Sequence, residues 1–397
     1  MTSPLRLAML GMIPGNGHPY SWSAIINGYD RAEMARCPYP TIPAYLGAQP
    51  HASVGIPGVR VTHLWTDDPS EAGAVARASL IPHVVARPEE VIGHVDAVLI
   101  STDDGTDHVR RARPFVEASL PVFVDKPLAT TMEDLRAFID WEQAGAPLLS
   151  SSGLRYAPEL ASLAADRGRF GEIRWLSIAT AKTWERYGIH ALEPAFVLLG
   201  PGFESVRLES LPGTEVAHLF HRSGTQVTLP VIYDGGPGFG AVQVSGNQGF
   251  AQLRFTDTYT AFRAQLLSFI DFVRTRKPPY PFTHTVELMA VLIAVSNTNN
   301  PAGNYNIFQI DTTNNTGTAD HTGCPCFGDQ PLIGTDAYGF YVTTNEFPIV
   351  GNGFNGDGLS CSRRAMQEQG SLLWRPLFPL LKPFGDLLHG CLVACNL

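Results

Sequence analysis

The sequence predicts an α/β protein with a Rossmann-like parallel sheet first, a second α+β domain after it, and an irregular, β-leaning C-terminal tail. Three observations predict it. Short apolar runs alternate with helical patterns up to about residue 145, as in a parallel sheet covered by helices on both faces. From 146 to 296 several strand-like runs follow one another, with helical patterns at about 190–199, 258–275 and 284–296. Beyond Ser296 the composition changes. Three asparagines precede that point and eleven follow it, and Cys37 precedes it while Cys324, Cys326, Cys361, Cys391 and Cys395 follow. The expected domains are 1–145, 146–296 and 297–397.

Leu5–Leu10 reads as the first strand, ending at Gly11. The turn that follows, Gly11-Met12-Ile13-Pro14-Gly15-Asn16-Gly17-His18, is spaced Gly-x3-Gly-x-Gly, not Gly-x-Gly-x-x-Gly. Glycines there let backbone N–H groups approach a pyrophosphate, so Gly11, Gly15 and Gly17 are candidate cofactor positions; an ordinary glycine-rich loop is the alternative. His18 is expected on the loop surface. Val61–Trp65 is a second strand, and Asp68-Pro69 starts a helix with Asp68 as its cap. Asp67 is then the candidate for the adenosine ribose of NAD; if Thr66 takes that position, NADP fits too. Asp96–Ile100 is a third strand, and a capping box Thr130-x-x-Glu133 opens the helix carrying Leu135, Phe138 and Ile139. Between them Pro121-Val122-Phe123-Val124 runs as a strand into Asp125-Lys126-Pro127. A lysine at the carboxyl end of a strand faces the crevice where open α/β sheets bind ligands. A surface Asp-Lys-Pro turn is the other reading.

In 146–296 the expected strands are about 147–152, 172–183, 203–209, 226–233 and 239–245. In the helix at 258–275, Tyr259, Phe262, Leu266, Phe269, Ile270 and Val273 share one apolar face. Two domains leave a cleft between them, where small-molecule sites tend to lie. A formal net charge of −9 without a basic stretch argues against a nucleic-acid partner. No apolar run reaches the roughly 18 residues of a membrane span. The N-terminus leads straight into a strand, so no signal peptide and a cytoplasmic location are expected. No His/Cys/Asp cluster with metal spacing stands in 1–296, so no metal is expected.

These stretches together resemble the glucose–fructose oxidoreductase / inositol dehydrogenase (Gfo/Idh/MocA) family over about residues 5–296. Val124-Asp125-Lys126-Pro127 resembles the family's Glu-Lys-Pro motif, with Asp for Glu. Val98-Leu99-Ile100-Ser101-Thr102 and His108 resemble its strand-four end and following histidine, with Asp103-Asp104 where the family usually has Pro-Asn. Gly188-Ile189-His190-Ala191-Leu192-Glu193 is similar to its Gly-x-His-x-x-Asp segment, and Arg155-Tyr156, after Ser151-Ser152-Gly153, resembles a stretch that often lines the substrate side. The resemblance implies a bound NAD or NADP and hydride exchange with a sugar, inositol or related alcohol. It implies that Lys126 touches nicotinamide ribose and substrate, with Asp125, Thr102 and His108 on the cofactor side. It implies that His190 moves the proton, and that Arg155, Tyr156 and Glu193 meet substrate. A homo-oligomer is a further expectation.

The chemistry suits these residue types. Oxidising a secondary alcohol removes a hydride, which the cofactor accepts, and a proton, which needs a base titrating near neutrality. Histidine is such a base, and a lysine ammonium stabilises the developing alkoxide. One departure counts against turnover: where the family commonly has an Asp four residues before the histidine, this chain has Arg186, a cation that lowers the histidine's pKa. Glu185, a third catalytic candidate, or Tyr187 could stand in for that acid. A hydrolase or lyase using bound NAD transiently, and a non-catalytic nucleotide-binding relative, are the alternatives.

From Asn297 the pattern stops. The region around 323–347 is loosely similar to a fragment of bacterial exported β-proteins, and a fusion of unlike segments near Ser296 is expected. Cys324-x-Cys326 matches neither zinc nor Cys-x-x-Cys spacing.

Overall fold

The computed structural model describes residues 4–235 and 240–296, Ser296 by its backbone alone. Beyond them it describes only the backbone of the strands Tyr305–Gln309, Cys326–Asp336, Gly339–Pro348, Leu359–Met366 and Leu392–Asn396. The expected join near Ser296 and the cysteine expectations for the tail lie outside the described residues.

Six strands build the first sheet: β1 (Leu5–Leu10), β2 (Val59–Trp65), β3 (His83–Val84), β4 (Ala97–Ile100), β5 (Val122–Val124) and β6 (Leu148–Leu149). Their order is β3-β2-β1-β4-β5-β6, and every pairing is parallel. Parallel neighbours need crossovers, here provided by α1 (His18–Asn27), α2 (Arg31–Met34), α3 (Thr41–Gly47), α4 (Pro69–Ala78), α5 (His108–Glu117) and α6 (Met132–Gln143). The strand order reverses between β1 and β4, which puts a ligand crevice at their carboxyl ends. The central strands β4 and β5 are buried on both faces, which explains their unbroken apolar sequence.

The second sheet contains β7 (Ile173–Ala181), β8 (Phe203–Leu211), β9 (Thr214–His221), β10 (Gln226–Ile232), β11 (Ala241–Gly246) and β12 (Phe250–Arg254), in the order β12-β11-β7-β10-β9-β8. β7 and β10 pair parallel and the remaining pairs are antiparallel. Four helices accompany it: α7 (Pro158–Ala165), α8 (Trp184–Leu199), α9 (Thr258–Thr275) and α10 (Phe282–Ser296). Helix α9 follows the second sheet in sequence but packs on the first, against α1, with the rings of Phe269 and Phe123 5.5 Å apart. Helix α10 contacts α8, β8 and α6, so it bridges the two layers. Its Val291 and Leu292 are fully buried.

Three strands escaped the sequence reading, each for a physical reason. β3 has two residues, both exposed. β12 is a five-residue edge strand that only half-buries Ala251 and Leu253, and exposed Phe250 blurs that alternation. β9 buries Glu215 and His221 on the same face as Ala217 and Leu219, which blurs the apolar alternation. One cap is shifted: the residue that caps α6 is Thr131, whose hydroxyl accepts from the Asp134 N–H and donates to its carboxylate, in place of the expected Thr130–Glu133 pair.

Candidate active site

Where β5 ends, the backbone makes one more sheet bond, from the Asp125 N–H to Ile100 O, and then turns through a cis Lys126–Pro127 bond. Asp125 accepts from the Lys126 N–H at 2.8 Å through one carboxylate oxygen and meets His18 Nδ1 at 2.9 Å through the other. His18 is therefore not on the loop surface. Its ring stacks on Trp22, 4.3 Å between centroids, and meets the edge of Phe262. The glycine turn is thereby tied to the end of β5.

Lys126 is 4 % exposed, so its ammonium needs a partner, and Asp103 supplies it: Nζ lies 3.7 Å from one Asp103 oxygen. Arg186, from the first turn of α8, holds the other at 2.6 Å. Burial alone would raise the Asp103 carboxyl, but Lys126 and Arg186 hold it down to about 2. The two departures from the family pattern thus complement each other. An acid at the end of β4 pairs with a cation on α8 where the family has an acid. The signal was present in the sequence, in two opposite-charge changes that each looked isolated.

His190 is buried near the middle of α8. Its Nδ1 lies 2.7 Å from the hydroxyl of Ser152, which also accepts from the Leu154 N–H at 3.1 Å. The Tyr187 ring meets it edge-on at 4.9 Å. Burial, then Lys126, His18 and Lys182, push His190 well below the ordinary histidine range. The direction agrees with the sequence reading, but Arg186 is not the source, because its charge is directed to Asp103. Glu185 does not join this group. Five helical residues separate it from His190, a rotation of about 140° around the axis; it raises the pKa of Glu215 on the second sheet. Tyr187, three residues away, shares the face. The Lys126 and Lys182 ammonium groups lie 5.0 and 4.1 Å from its ring centroid, and Lys182 donates to its hydroxyl at 2.5 Å. Burial raises the Tyr187 phenol, and Lys126 partly opposes this.

The three residues expected on the substrate side are placed behind His190. Glu193 is fully enclosed, pairs with Arg155 and accepts from the Ser152 N–H at 3.0 Å. Arg155 lies over the Tyr280 ring at 4.1 Å, and the Tyr156 hydroxyl donates to Ser268 at 3.1 Å. Glu193 holds Ser152, the residue that fixes the His190 ring, while Arg155 Nη2 is buried without a hydrogen-bond partner among the described residues. Ser152 had no part in the sequence reading, because a serine beside a glycine carries no signal of its distant partner.

On the cofactor side, Gly11 has φ +97°, and a Cβ there would meet Thr102 Cγ2 at 2.7 Å. Gly15 has φ +84° with open space where a side chain would go. Gly17 serves packing: a Cβ would strike Ile42 and Tyr39 at 2.6 Å. Asp67 accepts from the Met12 N–H at 2.9 Å and pairs with Arg111 at 2.7 Å, yet remains partly exposed. A cavity of about 40 Å³ beside them is lined by Leu10, Trp65, Pro88, Ile100, Arg111 and Phe115. Thr66 is turned inward, its hydroxyl donating to Asp68 O at 2.8 Å, so it is not presented to a ribose. His108 is likewise sealed. Its Nδ1 lies 2.9 Å from Pro127 O and its Nε2 3.1 Å from the Thr102 hydroxyl, so it staples the end of β4 to the Lys126 turn. Thr102 is fully buried in the same contact. Burial lowers the His108 pKa.

Residues 38–149 match the model of an oxidoreductase family with an NAD-binding Rossmann fold. No curated protein matches the chain. Among solved structures, an apo scyllo-inositol dehydrogenase from Lactobacillus casei superposes with a TM-score of 0.60 at 12 % identity, over 75 % of this chain and 96 % of that one. A probable dehydrogenase from Thermotoga maritima gives 0.58 at 16 %, over 74 % and 96 %. A putative myo-inositol dehydrogenase from Sinorhizobium meliloti 1021 gives 0.57 at 18 %, over 74 % and 96 %. At such identities these likenesses establish the fold alone. The match confines itself to residues 38–149, within the first sheet's region, and marks that region as similar to the NAD-binding Rossmann fold of the Gfo/Idh/MocA oxidoreductases.

Proposed function

We propose that the protein is a dehydrogenase that exchanges a hydride between NAD and a secondary alcohol of a sugar-like or polyol substrate, the first sheet serving the cofactor and the second the substrate. The observation that carries this reading is the buried Lys126 ammonium at the carboxyl end of β5, held by Asp103 and electrostatically coupled to His190. The residues present fit the cofactor: Gly15 leaves open space on the turn after β1, and Asp67 at the end of β2 remains partly exposed. A carboxylate there repels a 2′-phosphate, so NAD is favoured over NADP. When bound, NAD supplies the hydride acceptor.

The chain's own residues handle charge and proton. Lys126 stabilises the developing alkoxide, and Asp103 keeps its ammonium charged and in place. His190 takes the hydroxyl proton at Nε2, which requires Nδ1 to carry its hydrogen and donate to Ser152. Burial and the Lys126 and Lys182 charges disfavour the imidazolium, so His190 stays neutral until it acts. Tyr187 shields the pair from water. The test is absorbance at the reduced-nicotinamide band with the full chain, NAD and a panel of sugars, inositols and their acids. Reduction of NAD that is lost in Lys126→Ala supports the reading; a protein that binds no nicotinamide nucleotide refutes it.

A further inference from the structure

Three cations converge on one end of α8. Lys182, Lys126 and Arg186 surround Tyr187 and Asp103, and the distances above place Asp103 between the last two. Among the described residues no carboxylate lies within ion-pair distance of Lys182; its ammonium meets the Tyr187 phenol. Asp125 is taken by His18, and Glu185 acts electrostatically on Glu215 of the second sheet. Asp104, exposed on the β4 loop, accepts from Thr106 and lies within electrostatic reach of Arg186. The carboxylate paired here, Asp103, is shared between Lys126 and Arg186, which leaves Lys182 as a cation without an ion pair among the described residues.

The backbone places Lys182 there at a cost. Its φ is +65°, a left-handed conformation that a side chain disfavours, and its N–H is pinned to Ile232 O at 3.0 Å. The turn throws the side chain over the start of α8, where Thr183 makes no side-chain cap bond. The N-terminus of this 16-residue helix adds a partial positive charge of its own. Lys182 is exposed and the Arg186 side chain is 41 % exposed, so both can reach a ligand. A neutral polyol offers these two cations nothing to neutralise, whereas a carboxylate matches the guanidinium edge and the ammonium together.

We propose that the alcohol substrate is a hydroxy acid of the sugar-acid class, whose carboxylate is bound by Lys182 and Arg186 while its hydroxyl faces Lys126 and His190. This rests on the dehydrogenase reading and names its substrate class. The test is a binding titration, followed by intrinsic tryptophan fluorescence, of gluconate, sorbitol and glucose 6-phosphate into the full chain saturated with NADH. Gluconate should bind at least about tenfold tighter than sorbitol, the worth of one charge-assisted pair. Lys182→Met should weaken gluconate about tenfold, leaving NADH affinity within about twofold, and added salt should weaken gluconate but not sorbitol. Sorbitol binding as tightly as gluconate, gluconate failing to bind, or gluconate affinity unmoved in Lys182→Met overturns the inference. So does a preference for glucose 6-phosphate over gluconate, or a loss in Lys182→Met that falls on NADH. Failure of NADH to bind at the first step is the separate failure of the dehydrogenase reading.

Discussion

Helix α8 contributes to two buried ion pairs that differ in what they face. Arg186, in its first turn, reaches Asp103 at the end of β4 in a corner that stays open beside Lys126. Glu193, two turns later, pairs with Arg155 behind His190 and accepts from the Ser152 N–H. In sequence the second pair looked like substrate ligands and the first like a defect. The geometry separates them: Glu193 of the enclosed pair holds Ser152, whereas the Arg186 side chain of the other pair stays 41 % exposed. An ion pair's burial and its unused edges separate a positioning role from a binding one, and neither is visible in residue type.

The comparison can be broken at several points. The largest effect belongs to the open side: Lys126→Ala should lower kcat by about 10³-fold or more, with the fold intact by circular dichroism. Unchanged turnover would remove Lys126 from the chemistry. Next is the sealed side. Glu193→Ala strands the Arg155 cation and should cost about 3–5 kcal/mol in denaturant unfolding, because the partner left behind is buried. A loss seen in substrate KM at unchanged stability would return Glu193 to the binding surface. Ser152→Ala should lower kcat about tenfold, roughly one hydrogen bond's worth, and shift the pH–rate profile, with KM little changed.

Acid should separate the two regions by pH window. His190 has a folded pKa well below its unfolded value near 6.5, so the unfolded chain binds that proton first and stability falls as pH drops below about 6.5. Asp103, at about 2 against 3.8, adds stability that is full above 3.8 and lost as pH falls towards 2. Asp103→Asn should remove the lower window and leave the upper one, read by thermal melts across pH. The smallest effect is expected at Glu185: Glu185→Ala should leave kcat within about twofold.

Much of the fold was legible because β4 and β5 are buried on both faces and therefore read as unbroken apolar runs, while α9 shows one clean stripe. The edge strands β3 and β12 have no fully buried position and left only a faint trace. Lys126 and His190 were singled out from their motifs, and the structure brings them within electrostatic reach of one another. Thr66, His108, Arg155 and Glu193 have protein partners for their polar groups, which a motif does not reveal, because it fixes position along the chain but not whether a side chain points into a cleft or into the protein. Asp103 and Ser152 were missed because their partners lie 83 and 38 residues away.

The central claim is that Lys126 stands at a nicotinamide site. It is tested most directly by titrating NAD into the full chain and its Lys126→Ala variant by calorimetry. The account predicts one NAD per chain for the parent and an affinity lowered about tenfold or more in the variant. No binding by the parent, or equal binding by both, would contradict it.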